Sequence, residues 1–160
     1  MTALTRRYRF SASHRLHSAK LGEDENERLY GKCNNPFGHG HDYVLEVTAT
    51  GPVDPATGLI LPIGALDRLV EEKILRAFAN RNLNLDISEF AELVPTSENV
   101  ALVIARLLEQ HWTGYLGRTP SRLSRIHVQE TDRNGFEVLL PAPQRPSAID
   151  LENERLPVHA

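Results

Sequence analysis

The chain has 160 residues, 41% of them hydrophobic and 24% charged, and a formal net charge of −3. That length and balance suit one globular domain with its own core, and the slight acidity leaves no basic surplus to draw nucleic acid. No apolar run approaches the roughly 20 residues that span a bilayer; the segment after Arg6-Arg7 lacks the apolar core of a leader; and the single Cys33 allows no internal disulfide, so a cytoplasmic, reducing location without a membrane partner is expected.

Residues 5–14 predict a strand with Phe10, Ala12 and His14 on one face, because side chains alternate with period two. Residues 17–38 are polar and rich in turn formers, and GEDENERLYG suggests one short helical turn. An excursion of about twenty residues is long enough to point to function rather than connection. HDYVLEVTAT, at 41–50, predicts a second strand with Tyr43, Leu45 and Val47 on one face. GPVDPATG punctuates a turn, and GLILPI predicts a short third strand that stops or lies at an edge at Pro62.

Ile63, Leu66, Leu69, Val70, Ile74, Ala77 and Phe78 recur at three- and four-residue steps and predict a helix. NRNLNLD, at 80–86, reads as a loop. A second helix begins near PTSEN, where Thr96 or Ser97 caps and Glu98 lies in the first turn, and its stripe is Val100, Val103, Ile104, Leu107, Leu108 and Trp112. LGRTP turns the chain into strands at 122–131 and 135–140. The residues from 141 to 160 form a polar, proline-rich tail expected to be extended or disordered, which leaves one domain over 1–140. The order of elements indicates α+β architecture, with two helices packed on one face of an antiparallel sheet.

Three histidines stand where chemistry is plausible. His39-Gly40-His41 puts two imidazoles on one side of an extended segment, and His14 closes the apolar face of another strand. Three ligands with one open position is the pattern of a catalytic zinc site; the alternative is three unrelated histidines, one of them in the core. Glycines on both sides of His39 allow a tight backbone path. Cys33, six residues before His39, lies among loop residues. A cation nearby would lower its pKa and supply a thiolate base; the alternatives are a structural thiol or a fourth metal ligand. Glu130 follows Ile126 and Val128 on one strand face. Such an acid is paired, lines a pocket, or ends the strand in solvent. Its two oxygens match adjacent N–H donors on a 2-amino-4-oxo pyrimidine ring.

The stretch FSASHRLHSAKLGEDENERLYGKCNNPFGHGHDY resembles the zinc- and cysteine-bearing region of the 6-pyruvoyl-tetrahydropterin synthase family, and the likeness extends through DPATGLI, NLNLD, PTSENVA and VQETD. The animal-type enzyme is a closer likeness than the bacterial 6-carboxytetrahydropterin synthases. The resemblance implies a T-fold: a four-stranded antiparallel sheet with two helices on one face, assembling into a multi-subunit barrel and a homo-hexamer made of two trimers. It implies a zinc-dependent lyase that removes triphosphate from 7,8-dihydroneopterin triphosphate to give 6-pyruvoyl-tetrahydropterin. It assigns zinc to His14, His39 and His41, catalysis to Cys33, the pterin anchor to Glu130, and the pocket lining to Thr96, Ser97 and Glu98.

Two features depart from the pattern. The family's aspartate-histidine pair, a relay partner of the cysteine, is matched here by Ala79 and Asn80, and Pro62 replaces the usual asparagine or aspartate. Neither Ala79 nor Asn80 carries a proton at neutral pH, and the nearest acid is Asp86. The alternatives are a pterin lyase with an altered reaction, such as a 6-carboxytetrahydropterin synthase or a side-chain-cleaving enzyme, and a silent pterin-binding paralogue.

Overall fold

The computed structural model describes residues 1–142. The tail expected from 141 onward lies, apart from its first two residues, outside the described residues. Two long strands set the frame. β1 (Thr2–His14) and β2 (His39–Gly51) pair antiparallel along their whole length, with His14 opposite His39 and Thr2 opposite Gly51. β4 (Arg122–Gln129) adds to β2, and β5 (Gly135–Leu139) adds to β4, both antiparallel. One face carries Phe10 and Ala12 from β1, Tyr43, Leu45 and Val47 from β2, and Ile126 and Val128 from β4, all buried.

The expectation of four all-antiparallel strands needs correction, because the sheet is mixed and five-stranded. β3 (Arg81–Asn82) pairs parallel with Ala12 and Ser13, giving the order β3-β1-β2-β4-β5. It grows from the segment read as a loop. Asn80 takes a left-handed φ of 59° and donates its backbone N–H to Ser11 O at 2.7 Å, which turns the chain against the β1 edge. Asparagine tolerates that conformation better than most residues. A one-turn helix α4 (Leu83–Asp86) follows, with Asp86 accepting from the Asn82 N–H.

The GLILPI strand does not form. Asp54 closes the segment on itself through backbone bonds to Leu59 and Gly58, Gly58 has φ 72°, and Pro62 has no N–H to give a ladder. Leu61 instead plugs into the core at 3% exposure.

Helices cover one face. α2 (Ile63–Val70) runs into a π-helical turn (Glu71–Leu75) and a last turn α3 (Arg76–Phe78). Leu66, Leu69, Val70, Ile74 and Phe78 are buried, so the apolar stripe passes through the wider turn intact. Arg6 and Tyr8 of β1 both bond Asp67 of α2, the arginine through two nitrogens, and tie this helix to the sheet. α5 (Ser97–Leu116) is capped by Thr96 and buries Val100, Ile104 and Leu108 against the strands. Its start lies at the end of the sheet where β1 stops and β2 begins.

Candidate metal and acid site

The antiparallel register of β1 and β2 builds the site. His14 faces His39 across the ladder, Ala12 faces His41, and all three imidazoles project to the helix-covered face. Ring centroids are 4.8 Å apart for His14 and His39, 5.1 Å for His14 and His41, and 4.7 Å for His39 and His41. The three histidines can each offer one nitrogen, and these nitrogens lie within 4.8 Å of one another. His14 Nε2, His39 Nδ1 and His41 Nε2 are buried and have no hydrogen-bond partner. Buried polar atoms without partners are rare and costly, and three aimed at one point fit a cation ligated by imidazole.

His14 is fully buried and its tautomer is set by its other nitrogen. Nδ1 lies 2.8 Å from Pro95 O, which can only accept, so Nδ1 carries the proton and Nε2 presents its lone pair. The Tyr43 hydroxyl is near the same nitrogen at 3.5 Å. Burial, followed by the neighbouring imidazoles, pushes His14 and His39 below the ordinary histidine value, His14 against the opposing pull of its Pro95 bond. That direction favours the neutral form a metal ligand needs.

Gly38 has φ 68°, and a Cβ built on it would stand 2.7 Å from His14 O. Gly40 is less constrained, since its Cβ would meet Ala12 O at an ordinary 3.6 Å. Of the two glycines flanking His39, only Gly38 is required by the path.

Glu130 stands just past the end of β4, with its side chain 13% exposed. Its Oε1 is 3.7 Å from His14 Nε2 and from His41 Nε2, and accepts from Ser97 Oγ at 2.7 Å. Of the three residues in PTSEN singled out from sequence, Ser97 therefore joins the site. Thr96 spends its hydroxyl on the Asn99 N–H as the α5 cap, and Glu98 is exposed. The Ser97–Glu130 contact spans 33 residues, so no local spacing signals it.

Cys33 sits in a 3-10 turn (Gly31–Asn34), half-buried. Leu16 N–H donates to its carbonyl, and Arg15 and His17 hold Asn34, so the turn is fastened to the residues that follow His14. The thiol is not one of the clustered ligand groups. Burial and then the charge of Glu130 push it above its ordinary value. Lys32 is exposed and spends its charge in solvent.

Neither Ala79 nor Asn80 offers a group that joins the clustered ligands. Asn80 lines a cleft at the β1–β3 edge with Ser11, Ser13, His41, Asp42 and Arg81. Asp86 is engaged at α4. His17 and His111 bond Asn34 and Leu107 O, and His127 lies near Glu46.

Three converging imidazoles with a carboxylate near two of them, on an α+β sheet with helices on one face, form a site that could hold a metal ion. The model of the 6-pyruvoyl tetrahydropterin synthase family matches residues 3–140. The 6-pyruvoyl tetrahydrobiopterin synthase of Homo sapiens is 43% identical over 132 residues, covering 82% of this chain and 86% of that one. The protein of the same name from Poecilia reticulata is 42% identical over 132 residues, covering 82% and 85%. The solved structure of Caenorhabditis elegans 6-pyruvoyl tetrahydropterin synthase superposes with a TM-score of 0.79 at 37% identity, covering 88% of this chain and 96% of that chain. The chain belongs to the 6-pyruvoyl tetrahydropterin synthase family, a family of lyases. No helix among the described residues is long and apolar enough to cross a membrane.

Proposed function

We propose that the chain is a zinc-dependent lyase that eliminates triphosphate from 7,8-dihydroneopterin triphosphate to give 6-pyruvoyl-tetrahydropterin, acting in the cytoplasm. The observation that carries this is the set of three orphaned imidazole nitrogens of His14, His39 and His41, within 4.8 Å of one another, in a member of this family. Zinc held there would supply Lewis acidity to the side-chain hydroxyls of the substrate. Cys33 Sγ takes a proton from the adjoining side-chain carbon as triphosphate leaves. Glu130 binds the substrate through its carboxylate, and Thr96, Ser97 and Glu98 line the same end of the sheet.

The active unit is a homo-hexamer, with pockets between subunits and the sheets joined into a barrel. The sheet supports this: among the described residues β1 pairs with β3 only at Ala12 and Ser13, so most of that edge is free. Phe37 is 94% and Leu85 81% exposed, apolar surface of the kind a subunit contact covers. A monomer at micromolar concentration by light scattering would contradict the assembly.

A second reading is kept by one observation: Ala79 and Asn80 supply no proton relay. A pterin lyase with an altered reaction, or a silent pterin binder, would keep the metal and lose this turnover. Incubating the zinc-loaded protein with 7,8-dihydroneopterin triphosphate and identifying the products decides between them. Release of triphosphate with 6-pyruvoyl-tetrahydropterin supports the first reading. A different pterin product, or none, selects the second.

A further inference from the structure

Glu130 stands next to two of the three imidazoles but is not one of the clustered ligand groups. Its Oε1 is 3.7 Å from His14 Nε2 and 3.7 Å from His41 Nε2. Atoms bound tetrahedrally to zinc at about 2.0–2.1 Å lie about 3.3 Å from one another. A movement of the carboxylate toward the imidazoles would bring Oε1 into ligand range. That would fill the position a substrate needs and turn an open, three-histidine site into a closed one.

One hydroxyl opposes that movement. Ser97 Oγ donates to this same oxygen at 2.7 Å, and no other hydrogen bond to Glu130's carboxylate is made among the described residues. Ser97 is 4% exposed and is the first residue of α5, whose start Thr96 caps. Its backbone belongs to the helix, so the bond holds the carboxylate toward the start of α5. A hydrogen bond to a charged acceptor is among the stronger kinds, and the α5 N-terminus itself favours negative charge at that place.

We propose that Ser97 is a positioning residue that keeps the fourth coordination position open by holding Glu130 Oε1 back from the metal. The inference rests on His14, His39 and His41 being the metal ligands. It makes Ser97 neither a ligand nor an acid–base group: it acts through Glu130.

Metal binding tests it without substrate. Zinc affinity is measured by competition with a chromophoric chelator, and coordination by the visible spectrum of the cobalt-loaded protein. Ser97→Ala should bind zinc about tenfold more tightly than the parent, because Oε1 is released to the metal, and should change the cobalt spectrum. Ser97→Thr, which keeps the hydroxyl, should restore both parental values. Ser97→Gly serves as a second hydroxyl-free variant and should behave as the alanine form. The double change Ser97→Ala with Glu130→Gln should lose the gain. Parental or weaker affinity with a parental cobalt spectrum in both hydroxyl-free variants overturns the inference and leaves the metal assignment standing. A parent that binds zinc no better than its His39→Ala variant overturns both.

Discussion

Gly38 passes so close beneath His14 that a Cβ on it would meet the His14 carbonyl oxygen at 2.7 Å. The strand that carries His39 and His41 can start opposite His14 only because that side chain is missing. Gly38→Ala adds this clash to a left-handed φ of 68°, which costs an L-residue roughly 1–2 kcal/mol before any clash. Denaturant unfolding should show a loss of at least about 1 kcal/mol, and zinc affinity should fall as His39 shifts. Gly40→Ala, with ordinary contacts, should cost less on both measures. Equal losses at the two glycines would refute the backbone argument.

The nest of nitrogens has a direct readout. His39→Ala removes one of three ligands and leaves two, too few to hold zinc firmly. Dialysed protein should carry about one zinc per chain, and the variant a small fraction of that, by atomic absorption. Full occupancy in the variant would move the metal elsewhere. Far-ultraviolet circular dichroism should be unchanged, since His39 begins β2 and the core lies further along it.

The proposed role of Glu130 as the pterin's anchor is testable by comparison. Glu130→Gln keeps shape and replaces a charged acceptor, so pterin binding should weaken by about 1.5–3 kcal/mol, the range for hydrogen bonds to charged groups. Glu98→Gln is the matched control, because Glu98 is exposed at the start of α5 while Glu130 is already engaged by Ser97. Calorimetry on both variants assigns the ring. A loss confined to Glu98→Gln would place the ring on Glu98 and leave Glu130 to the atoms nearest the metal.

Much of the frame is legible in sequence because it obeys short periods. Phe10, Ala12 and His14 alternate, as do Tyr43, Leu45 and Val47, and the structure buries all six. What escapes is set by contacts remote in sequence or by single groups. The 17–38 excursion holds a two-turn helix α1 (Glu23–Tyr30) rather than one turn, and buried Asn26 organises its approach by bonding Ser18, Leu21 and Gly22. No periodicity announces that hub. β3 depends on one left-handed asparagine finding Ser11, sixty-nine residues earlier in the chain. At the site, the histidines are readable from H-x-H spacing and the family likeness. The Ser97 bond to Glu130 and the upward push on Cys33 appear only when helix, strand and loop are brought together.

Asp67 gives a pH dependence with a definite sign. The Arg6 hydrogen bonds hold its carboxyl below the ordinary 3.8, against some desolvation and with help from Tyr8. A carboxyl depressed in the fold stabilises the fold above its unfolded value, and that contribution is lost as pH falls through the lower folded value. The pair is more than a third exposed, so solvent screens it and the effect is small. Asp67→Asn should therefore be slightly less stable than the parent at pH 6, and the difference should shrink below about pH 3.8. A difference that grows on acidification would show that Asp67 is not stabilised as a carboxylate.

Cys33 is the most exposed of the assignments. In the folded chain burial, and then Glu130, raise the thiol, so protein alone does not make the thiolate. A cation among His14, His39 and His41 would stand beside Glu130 and offset its charge, which is the force acting on the thiol after burial. Thiol reactivity should follow the metal. At pH 8 the metal-free protein should react with iodoacetamide more slowly than a free cysteine, whose thiol ionises near 8.5. Adding zinc should speed the reaction in the parent and leave the His39→Ala variant unchanged. Turnover should follow too: Cys33→Ala should lower triphosphate release by roughly 10²–10⁴-fold, the contribution of a general base, while zinc still binds. Restoring a relay with Ala79→Asp and Asn80→His should raise turnover, because neither Ala79 nor Asn80 carries a proton at neutral pH. Release as fast in Cys33→Ala as in the parent would reduce Cys33 to a structural thiol and move the base to Glu130, the other acid–base group held beside the three imidazoles.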